Sequence, residues 1–520
     1  MACDMSRSRV PDQPATVWSI QTEFTKALEL HKRGQLAAAE QICHAILKSH
    51  RRHFDAGHLL AVILLQRDEA EAAEKQFCRA LKLAPRDTAN GNLAEAHNNR
   101  GIALARLDRF DEAIASFERA FALQPDYIGV LINQVSALHK LGRFDEALAL
   151  SDKAIAMQPQ LADFHYGRGR ALDRLRRFDE AIASFDRAIT LKPDFHDAYY
   201  GRSFCRLMRG SFAEGWEDNE HRWHSQSYRG EFNPAYAAPS VTRDSLKNKS
   251  ILIVAEQGAG DEIMFASMIP DLVQDAQSVA LECDARLSAL FGRSFPGVKL
   301  IARKKPSTWK ASDFDYVIPA LSLGRFYRNT PNDFPHRTSY LKPSVEIAAN
   351  WKARLSDLGN DMKVGISWKG GTESTRRQSR SIPLDLWMTL LASKGVRFVS
   401  LQYGQVREEI ERTNQSLPYP IACFEPSEID DFDQLAGLAS ALDVIVTVDN
   451  TLVHLSGAIG KSCQALIPYD PEWRYGSSGR RMPWYSSVEL HRQERPGEWA
   501  KIVNRIAAEL KGLNRSIEEN

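Results

Sequence analysis

Three stretches in the second half of this 520-residue chain combine glycine with charged or polar residues in patterns that could support chemistry. In the first, Gly258 and Gly260 precede Asp261 directly after an apolar run. Such glycines permit a tight turn and let a ligand approach the backbone closely. A dinucleotide site would need a third glycine where Ile263 stands, which argues against NAD. Asp261 then either caps the helix that follows or faces a ligand.

The second stretch, residues 368–383, is strongly basic. It contains Lys369, Arg376, Arg377 and Arg380 against a single acid, Glu373. A basic loop at the carboxyl end of a strand could stabilise the negative charge on a departing diphosphate. A solvated surface loop would carry the same charges, so both interpretations stay open.

The third stretch joins the end of an apolar strand to the start of a helix. The free N–H groups at such a start attract phosphate, and a carboxylate beside them could bind a ribose or sugar hydroxyl. A histidine one turn later could face the same ligand. The alternatives are a simple helix cap and a packed histidine. The residues concerned are Asp449, Asn450, Thr451, Leu452 and His454.

Short apolar runs between helical stretches must position these residues. They predict strands over residues 251–254, 279–282, 299–301, 316–318, 363–368, 397–401, 444–448 and 465–467, with a closing helix over 498–511. Two successive blocks of alternating strands and helices predict an α/β fold with two Rossmann-like lobes, over residues 250–345 and 346–515. In such folds ligands bind at the carboxyl ends of the strands, so we expect a cleft between the lobes.

The first half is an internal repeat. Arg-Phe-Asp-Glu-Ala begins at Arg109 and recurs at Arg143 and Arg177, a period of 34 residues. Small residues at fixed positions and a proline closing each unit are typical of tetratricopeptide repeats, which are helical hairpins. We predict about six hairpins over residues 20–225, a tail over 1–19 and a linker over 226–249. The groove of such a solenoid is suited to a protein or peptide partner.

Composition excludes several classes. With 67 Lys+Arg against 66 Asp+Glu, the chain lacks the global positive field of many nucleic-acid binders. No apolar run approaches the roughly 18 residues that span a bilayer, and no signal-peptide pattern opens the chain. Seven scattered cysteines fit reduced thiols better than disulfides or a zinc site, so we expect a cytoplasmic protein. The Asp-x-Asp at Asp431 and Asp433 is interpreted as a helix start rather than a metal motif.

Taken in order, these motifs resemble the lipopolysaccharide heptosyltransferase family. They are Glu-Gln-Gly-Ala-Gly-Asp ending at Asp261, Trp-Lys-Gly around Lys369, Arg-Ser-Ile-Pro-Leu from Arg380, and the run from Asp443 through Asp449 and His454. Pro468, Trp473-Arg474 and Pro483-Trp484-Tyr485 belong to the same pattern. The whole chain looks like the bacterial tetratricopeptide proteins that carry a domain of that family at their C-terminus. The resemblance covers residues 250–510 and implies a GT-B type, metal-independent, inverting glycosyltransferase.

The resemblance also implies residue roles. Asp261 matches the proposed general base, and Lys369 and Arg380 lie in the diphosphate-binding loop. The helix start at Asp449, Asn450, Thr451 and Leu452, with His454, matches the contacts to the donor sugar and phosphate; Asn450 stands where threonine is usual. The donor would be a nucleotide diphosphate sugar, with no cofactor or metal. Solenoids of this kind often pair, which favours a homodimer. The alternative is a non-catalytic tetratricopeptide scaffold whose second half retains only the fold.

Overall fold

The computed structural model of the protein describes residues 15–228, 241–371 and 377–518. The chain forms two compact units, Met1–Pro193 and Asp194–Asn520. Most of the tail expected over residues 1–19, half of the linker expected over 226–249, and Arg376 lie outside the described residues.

The first unit consists of helical hairpins. The shared Arg-Phe-Asp-Glu-Ala sequence begins the second helix of a hairpin each time, because the acids occupy the first turn, where they interact favourably with the helix dipole. The helices are α1 (Ala15–Lys32), α2 (Leu36–Ser49), α3 (Phe54–Gln66), α4 (Ala70–Leu83), α5 (Asn90–Arg106), α6 (Phe110–Leu123), α7 (Gly129–Lys140), α8 (Phe144–Met157), α9 (Ala162–Arg174) and α10 (Phe178–Leu191).

Close helix contacts explain the small residues of the repeat. A Cβ added at Gly101 would lie 2.4 Å from the ring of Phe117, and one at Gly169 would lie 2.8 Å from Phe185. Both rings are buried in the seam between the two helices of their hairpin. Glycine is therefore needed at these positions so that the paired helices can pack around an aromatic side chain.

A sixth hairpin continues the repeat but belongs to the second unit. It comprises α11 (His196–Arg209) and α12 (Phe212–Asn219). Trp216 is 1% exposed and donates its indole N–H to the carbonyl of Arg328, 2.7 Å away. A Cβ at Gly324 would lie 2.6 Å from the same indole ring. The predicted solenoid over residues 20–225 is thus divided by packing after Pro193.

The first sheet of the second unit has four parallel strands in the order β3-β2-β1-β4. They are β1 (Ser250–Val254), β2 (Ser278–Cys283), β3 (Lys299–Ala302) and β4 (Tyr316–Pro319). The apolar runs of the sequence form them because both faces are covered by helices. The helices are α13 (Ala259–Phe265), α14 (Ile269–Asp275), α15 (Ser288–Ser294) and α16 (Gly324–Tyr327).

The second sheet has six strands in the order β6-β5-β7-β8-β10-β9, and β9 is antiparallel to its neighbour. The strands are β5 (Met362–Ser367), β6 (Val396–Ser400), β7 (Val444–Val448), β8 (Cys463–Ile467), β9 (Arg481–Met482) and β10 (Tyr485–Arg492). The helices are α17 (Val345–Ser356), α18 (Met388–Leu391), α19 (Arg407–Asn414), α20 (Pro426–Ile429), α21 (Phe432–Ala441), α22 (Thr451–Ala458) and α23 (Trp499–Glu518).

The α/β character predicted for the second half is confirmed, and each of the eight predicted strands overlaps an observed one. The sequence did not predict β9 and β10. Asp431 caps α21 by accepting a hydrogen bond from the amide of Asp433, 3.3 Å away, as the helix-start interpretation expects.

Candidate functional site

The first candidate residue, Asp261, lies in the first turn of α13. The segment with Gly258 and Gly260, here called the glycine loop, connects β1 to this helix. A Cβ added at Gly260 would lie 3.3 Å from Thr451 Oγ1 and 3.3 Å from His454 Cδ2. The glycine loop therefore contacts the start of α22 closely. Residues predicted from separate stretches of the sequence come together at this contact. The position of Gly258 differs, since nothing lies within 4 Å of a Cβ built there.

Asp261 is paired with an arginine to which the sequence analysis had given no role. Arg474 donates from Nη2 to Asp261 Oδ1 at 2.6 Å, and the two side chains are 12% and 18% exposed. Burial raises the pKa of Asp261 above its ordinary value, the charge of Arg474 opposes that rise, and Glu472 adds to it. A carboxylate with a raised pKa accepts a proton more readily at neutral pH than an ordinary aspartate.

Asp449 directly follows β7 and is 1% exposed. Its Oδ1 accepts hydrogen bonds from the Tyr475 hydroxyl at 2.6 Å and from Arg380 Nη2 at 3.0 Å. Its Oδ2 has no hydrogen-bond partner within the part of the chain that the structure describes. A buried carboxylate oxygen that has no hydrogen-bond donor costs free energy. Oδ2 is therefore the atom of this site most suited to accept a hydrogen bond from a ligand hydroxyl.

Arg380 is held against the end of β7. Besides its contact with the Asp449 carboxylate, it donates to the Asp449 carbonyl from Nη2 at 2.9 Å and from Nε at 3.2 Å. A Cβ at Gly370 would lie 2.4 Å from that carbonyl and 2.9 Å from the carbonyl of Arg380. Only glycine at position 370 lets the two strand-end segments lie this close.

Lys369 is also paired. Its ammonium forms an ion pair with Glu409, and the two side chains are 29% and 28% exposed. Its backbone N–H donates to Gln402 Oε1 at 2.8 Å, as does the N–H of Trp368 at 2.9 Å. The backbone of the predicted diphosphate loop is therefore fixed by Gln402. A partly exposed pair of this kind contributes little stability, so its lysine is available to a stronger anion.

Asn450, and not Asp449, caps α22. Its Oδ1 accepts from the amide of Leu452 at 2.9 Å, and its Nδ2 donates to Ser367 Oγ at 2.8 Å. The alternative that Asp449 serves as the cap is wrong. Because the Leu452 amide is already bonded and the Leu452 side chain is 5% exposed in the core, Leu452 has a structural role here.

His454 is 3% exposed and pairs through Nδ1 with the Tyr485 hydroxyl, 3.2 Å away. Burial, together with the charges of Arg474 and Arg380, lowers the pKa of His454 well below its ordinary value, so the imidazole is neutral. The Tyr485 hydroxyl lies 3.4 Å from that of Tyr340, which donates to the backbone of α13 at 2.7 Å. His454 thus belongs to a buried polar chain that connects α22 with α13.

The segment that carries Arg474 and Tyr475 is supported by the sixth hairpin. The Trp473 ring packs edge-on against Trp216 at 5.4 Å between centroids, and the Ser477 N–H donates to the Met208 carbonyl at 3.0 Å. Trp473 and Arg474 belong to a recognised sequence pattern, but their roles were not predicted. They follow β8, and in a parallel sheet the segments after the strands are where ligands bind, which could have indicated a role in the site.

The short helical turn that follows the sixth hairpin, Glu220–His224, contacts the segment after β1. Arg222, which is fully buried, donates to both oxygens of Glu256, at 3.0 and 3.2 Å. Arg222 also pairs with Glu220 at 2.6 Å. The sixth hairpin and the turn after it therefore contact two of the segments that form the candidate site.

One group of described residues has ligand atoms close enough to hold a metal ion, namely Glu489, His491 and Glu509. Arg480 already bridges its two carboxylates, at 2.7 and 2.9 Å, so the group forms an ion network within the chain. Among the residues that the structure describes, no helix has the length and apolar character needed to cross a membrane.

Comparison with known proteins identifies the first half. Sequence models of the tetratricopeptide repeat match residues 24–88, 94–127 and 132–214. The protein therefore carries tetratricopeptide repeats, a class of repeat that mediates protein–protein contacts.

A curated relative extends beyond the repeats. The chain is 33% identical over 329 residues to Protein FlbA of Caulobacter vibrioides, covering 60% of this chain and 54% of that protein. The chain thus spans about half the length of this relative. Among solved structures, YrrB, described as a tetratricopeptide-repeat protein with an unusual peptide-binding site, is 19% identical, with a TM-score of 0.31 over 35% of this chain and 90% of its own. MamA is 21% identical, with a TM-score of 0.30 over 32% and 94%.

Proposed function

We propose that the protein is a metal-independent, inverting glycosyltransferase that moves a sugar from a nucleotide diphosphate sugar to a protein or glycan acceptor. The observation that carries the proposal is the proximity of two carboxylates, Asp261 in the first turn of α13 and Asp449 directly after β7. Asp261 has a raised pKa, and Asp449 keeps an oxygen without a hydrogen-bond partner within the described chain. The GT-B arrangement implied by the resemblance is part of the same proposal.

In this mechanism Asp261 is the general base. An acceptor hydroxyl loses its proton to Asp261 as its oxygen attacks the anomeric carbon of the donor, and the bond from that carbon to the diphosphate breaks. Attack from the side opposite the leaving group inverts the anomeric centre. Arg474 orients the Asp261 carboxylate through its 2.6 Å hydrogen bond.

The leaving diphosphate needs positive charge. Lys369 and Arg380 supply it in the role that a divalent cation has in other transferases. Lys369 would exchange Glu409 for a phosphate oxygen, while Arg380 stays anchored on the Asp449 carbonyl. Asp449 Oδ2 accepts a hydrogen bond from a hydroxyl of the donor sugar or ribose. The amides of α22 near Thr451 interact favourably with the negative charge of the diphosphate.

His454 does not act as an acid or base in this mechanism. A neutral, buried imidazole bonded to Tyr485 supports the donor side of the site by packing and orientation. The repeats recruit the acceptor or a partner protein, since concave stacks of helical hairpins bind peptides.

A donor-binding assay tests the proposal. Calorimetric titration of nucleoside diphosphates and their sugars into the full chain should identify one base. Lys369→Ala with Arg380→Ala should weaken its binding by about tenfold or more, because charge-assisted contacts contribute about 1.5–3 kcal/mol each. Lys352→Ala with Arg412→Ala, which changes two exposed residues of the second lobe, should bind as wild type.

Asp261→Asn separates chemistry from binding. The substitution should abolish sugar transfer, while the dissociation constant of the donor changes little. Where no acceptor is at hand, hydrolysis of the donor is measured instead, and it should become slower. The control is Asp313→Asn, at an exposed aspartate in the same lobe. Equal loss of binding and turnover would reject the base assignment.

A non-catalytic scaffold is the second candidate. The observation that favours it is that the charged groups of Asp261, Lys369 and Arg380 are each engaged by another residue of the chain. If the full panel of nucleotides leaves the melting temperature and the calorimetric baseline unchanged, the scaffold becomes the better description. The next experiment would then identify the partner of the repeats.

A further inference from the structure

A second concentration of positive charge lies outside the residues discussed so far. We call residues 303–310, which follow β3, the lysine loop. It contains Arg303, Lys304, Lys305 and Lys310 and no acidic residue. The side chains of Lys304 and Lys310 are exposed, and no ion pair joins either of them to an acid in the part of the chain that the structure describes.

The lysine loop is anchored at both ends. The Trp309 indole N–H donates to Glu282 Oε1 at 2.8 Å, and the ring packs on the apolar cluster around Leu252 and Val254. At the other end the Arg303 amide donates to the Cys283 carbonyl at 2.8 Å. The lysines therefore project from a fixed position, which reduces the entropy that a partner would lose on binding.

The lysine loop lies beside the candidate site. Strands β1, β2 and β3 are parallel, so the segments that follow them share one edge of the sheet. Arg303 forms an ion pair with Glu262, the neighbour of Asp261, and donates from Nη1 to the Gln257 carbonyl at 3.3 Å. The loop is thus tied to the two segments that flank the glycine loop.

We propose that the lysine loop binds an acidic segment of a polypeptide acceptor and holds it next to Asp261. The proposal rests on the proposed transferase function and names its acceptor class. Lys304 and Lys310, which no described acid pairs with, complement carboxylates, and charges fixed at an interface set both orientation and association rate. The tetratricopeptide repeats favour a polypeptide over a glycan, because stacked hairpins form grooves for peptides.

The test uses a defined acidic probe. Fluorescein-labelled poly-L-glutamate of about 20 residues is titrated with the full chain at about 50 mM salt, followed by anisotropy. Lys304→Glu with Lys310→Glu should weaken binding about tenfold or more, since it replaces two attractions by two repulsions. The matched control, Lys352→Glu with Lys394→Glu, reverses two exposed lysines of the second lobe and should leave binding within about twofold.

The outcomes separate the two proposals. Equal weakening in both double variants, or in neither, would overturn the lysine loop as the binding surface. Tighter binding of a heparin hexasaccharide than of poly-glutamate, lost in the same variant, would overturn the polypeptide assignment in favour of an anionic glycan. Nucleotide titrations are run on the same samples. The transferase proposal fails if no nucleotide binds, whatever the probe does, and the Lys304→Glu/Lys310→Glu variant should bind nucleotide as wild type does.

Discussion

The hairpins of the first unit and the sixth hairpin share a repeat but differ in where they place charge. In the first unit, Arg143 pairs with Glu146 at 2.6 Å with both side chains at least 40% exposed. In the sixth hairpin, Arg202 pairs with Asp218 at 2.7 Å, and the side chains are only 11% and 6% exposed. Arg222, just beyond it, is fully buried against Glu256. The Arg143 pair is solvated, whereas the arginine pairs of the sixth hairpin, which belongs to the α/β unit, are buried.

This difference has an energetic meaning. An exposed ion pair is screened by water and contributes at most about 1 kcal/mol. A buried pair does not have to stabilise the fold, but removal of one partner leaves an uncompensated charge in a medium of low polarity. Substitutions of an arginine in a solvated pair and of one in a buried pair should therefore differ widely in their effect on stability.

The largest expected effect is that of Arg222→Met. Loss of the guanidinium leaves Glu256 and Glu220 without their shared cation, and we expect a loss of about 3–5 kcal/mol in the free energy of unfolding. Nine of the ten tryptophans lie in the second unit, so urea unfolding of the full chain followed by tryptophan fluorescence measures this change.

Arg143→Met is the matched variant in the first unit. It should change local stability by less than about 0.5 kcal/mol, measured by hydrogen exchange of the α8 amides. Similar losses for both arginines would refute the proposed difference between solvated and buried pairs.

Glycine contacts should behave alike in the two regions. Gly101→Ala places a methyl group against Phe117 in the first unit, and Gly324→Ala places one against Trp216 in the second. Both should cost about 1–3 kcal/mol, because a close-packed interior must shift to admit an added carbon. Gly129→Ala, where the nearest atom lies 3.7 Å away, should be nearly neutral. Thermal unfolding of the three variants checks the order, and a neutral Gly324→Ala would show that Trp216 packs loosely.

Local patterns in the sequence predicted much of this architecture. The 34-residue period predicted hairpins because Phe117 and Phe185 require small residues at fixed offsets. Apolar runs predicted β1 to β8 because strands buried on both faces are apolar throughout. Strand β10 escaped detection because Tyr485–Arg492 mixes serine, glutamate and histidine with apolar residues.

The candidate site was predictable only in part. The glycine loop and the start of α22 were found because each follows a strand directly. The partners of Asp261 and Arg380 were not, since Arg474 lies 213 residues from Asp261 and Asp449 lies 69 residues from Arg380. No local pattern encodes such pairs. For the same reason, the repeat period did not reveal that the sixth hairpin packs with the α/β unit.

A buried histidine makes the first unit sensitive to acid. His139 donates to the Gly167 carbonyl at 3.1 Å, and burial with the charges of Arg170 and Arg174 lowers its pKa to about 4. Below pH 6.5 the unfolded chain takes up a proton that folded His139 does not, so stability falls as the pH falls. The loss attributable to His139 is about 2 kcal/mol at pH 5.

His139→Gln should reduce this pH dependence. Hydrogen exchange of the α7 amides in the full chain, corrected for intrinsic rates, should show a smaller loss of protection between pH 7 and pH 5 than in wild type. His44→Gln, at an exposed position of α2, is the control and should keep the wild-type slope. An unchanged slope for His139→Gln would place the acid sensitivity in another group.

Arg474→Met tests the link between the sixth hairpin and the candidate site through a titration rather than through the free energy of unfolding. Trp216 packs against Trp473, and Arg474 follows directly. The hairpin therefore fixes the cation that lowers the pKa of Asp261 against the effect of burial.

Removal of that cation should raise the pKa of Asp261 further. Burial and the neighbouring acids Glu472 and Asp449 continue to raise this pKa, and the charge of Arg380 continues to lower it. Carboxyl carbon-13 NMR titration of aspartate-labelled protein should show the Asp261 midpoint moving to higher pH than in wild type. The acid limb of any transferase or donor-hydrolysis profile should move in the same direction, since a protonated carboxyl cannot accept the acceptor's proton. A profile lowered in height at every pH, with an unmoved Asp261 midpoint, would instead give Arg474 a purely structural role.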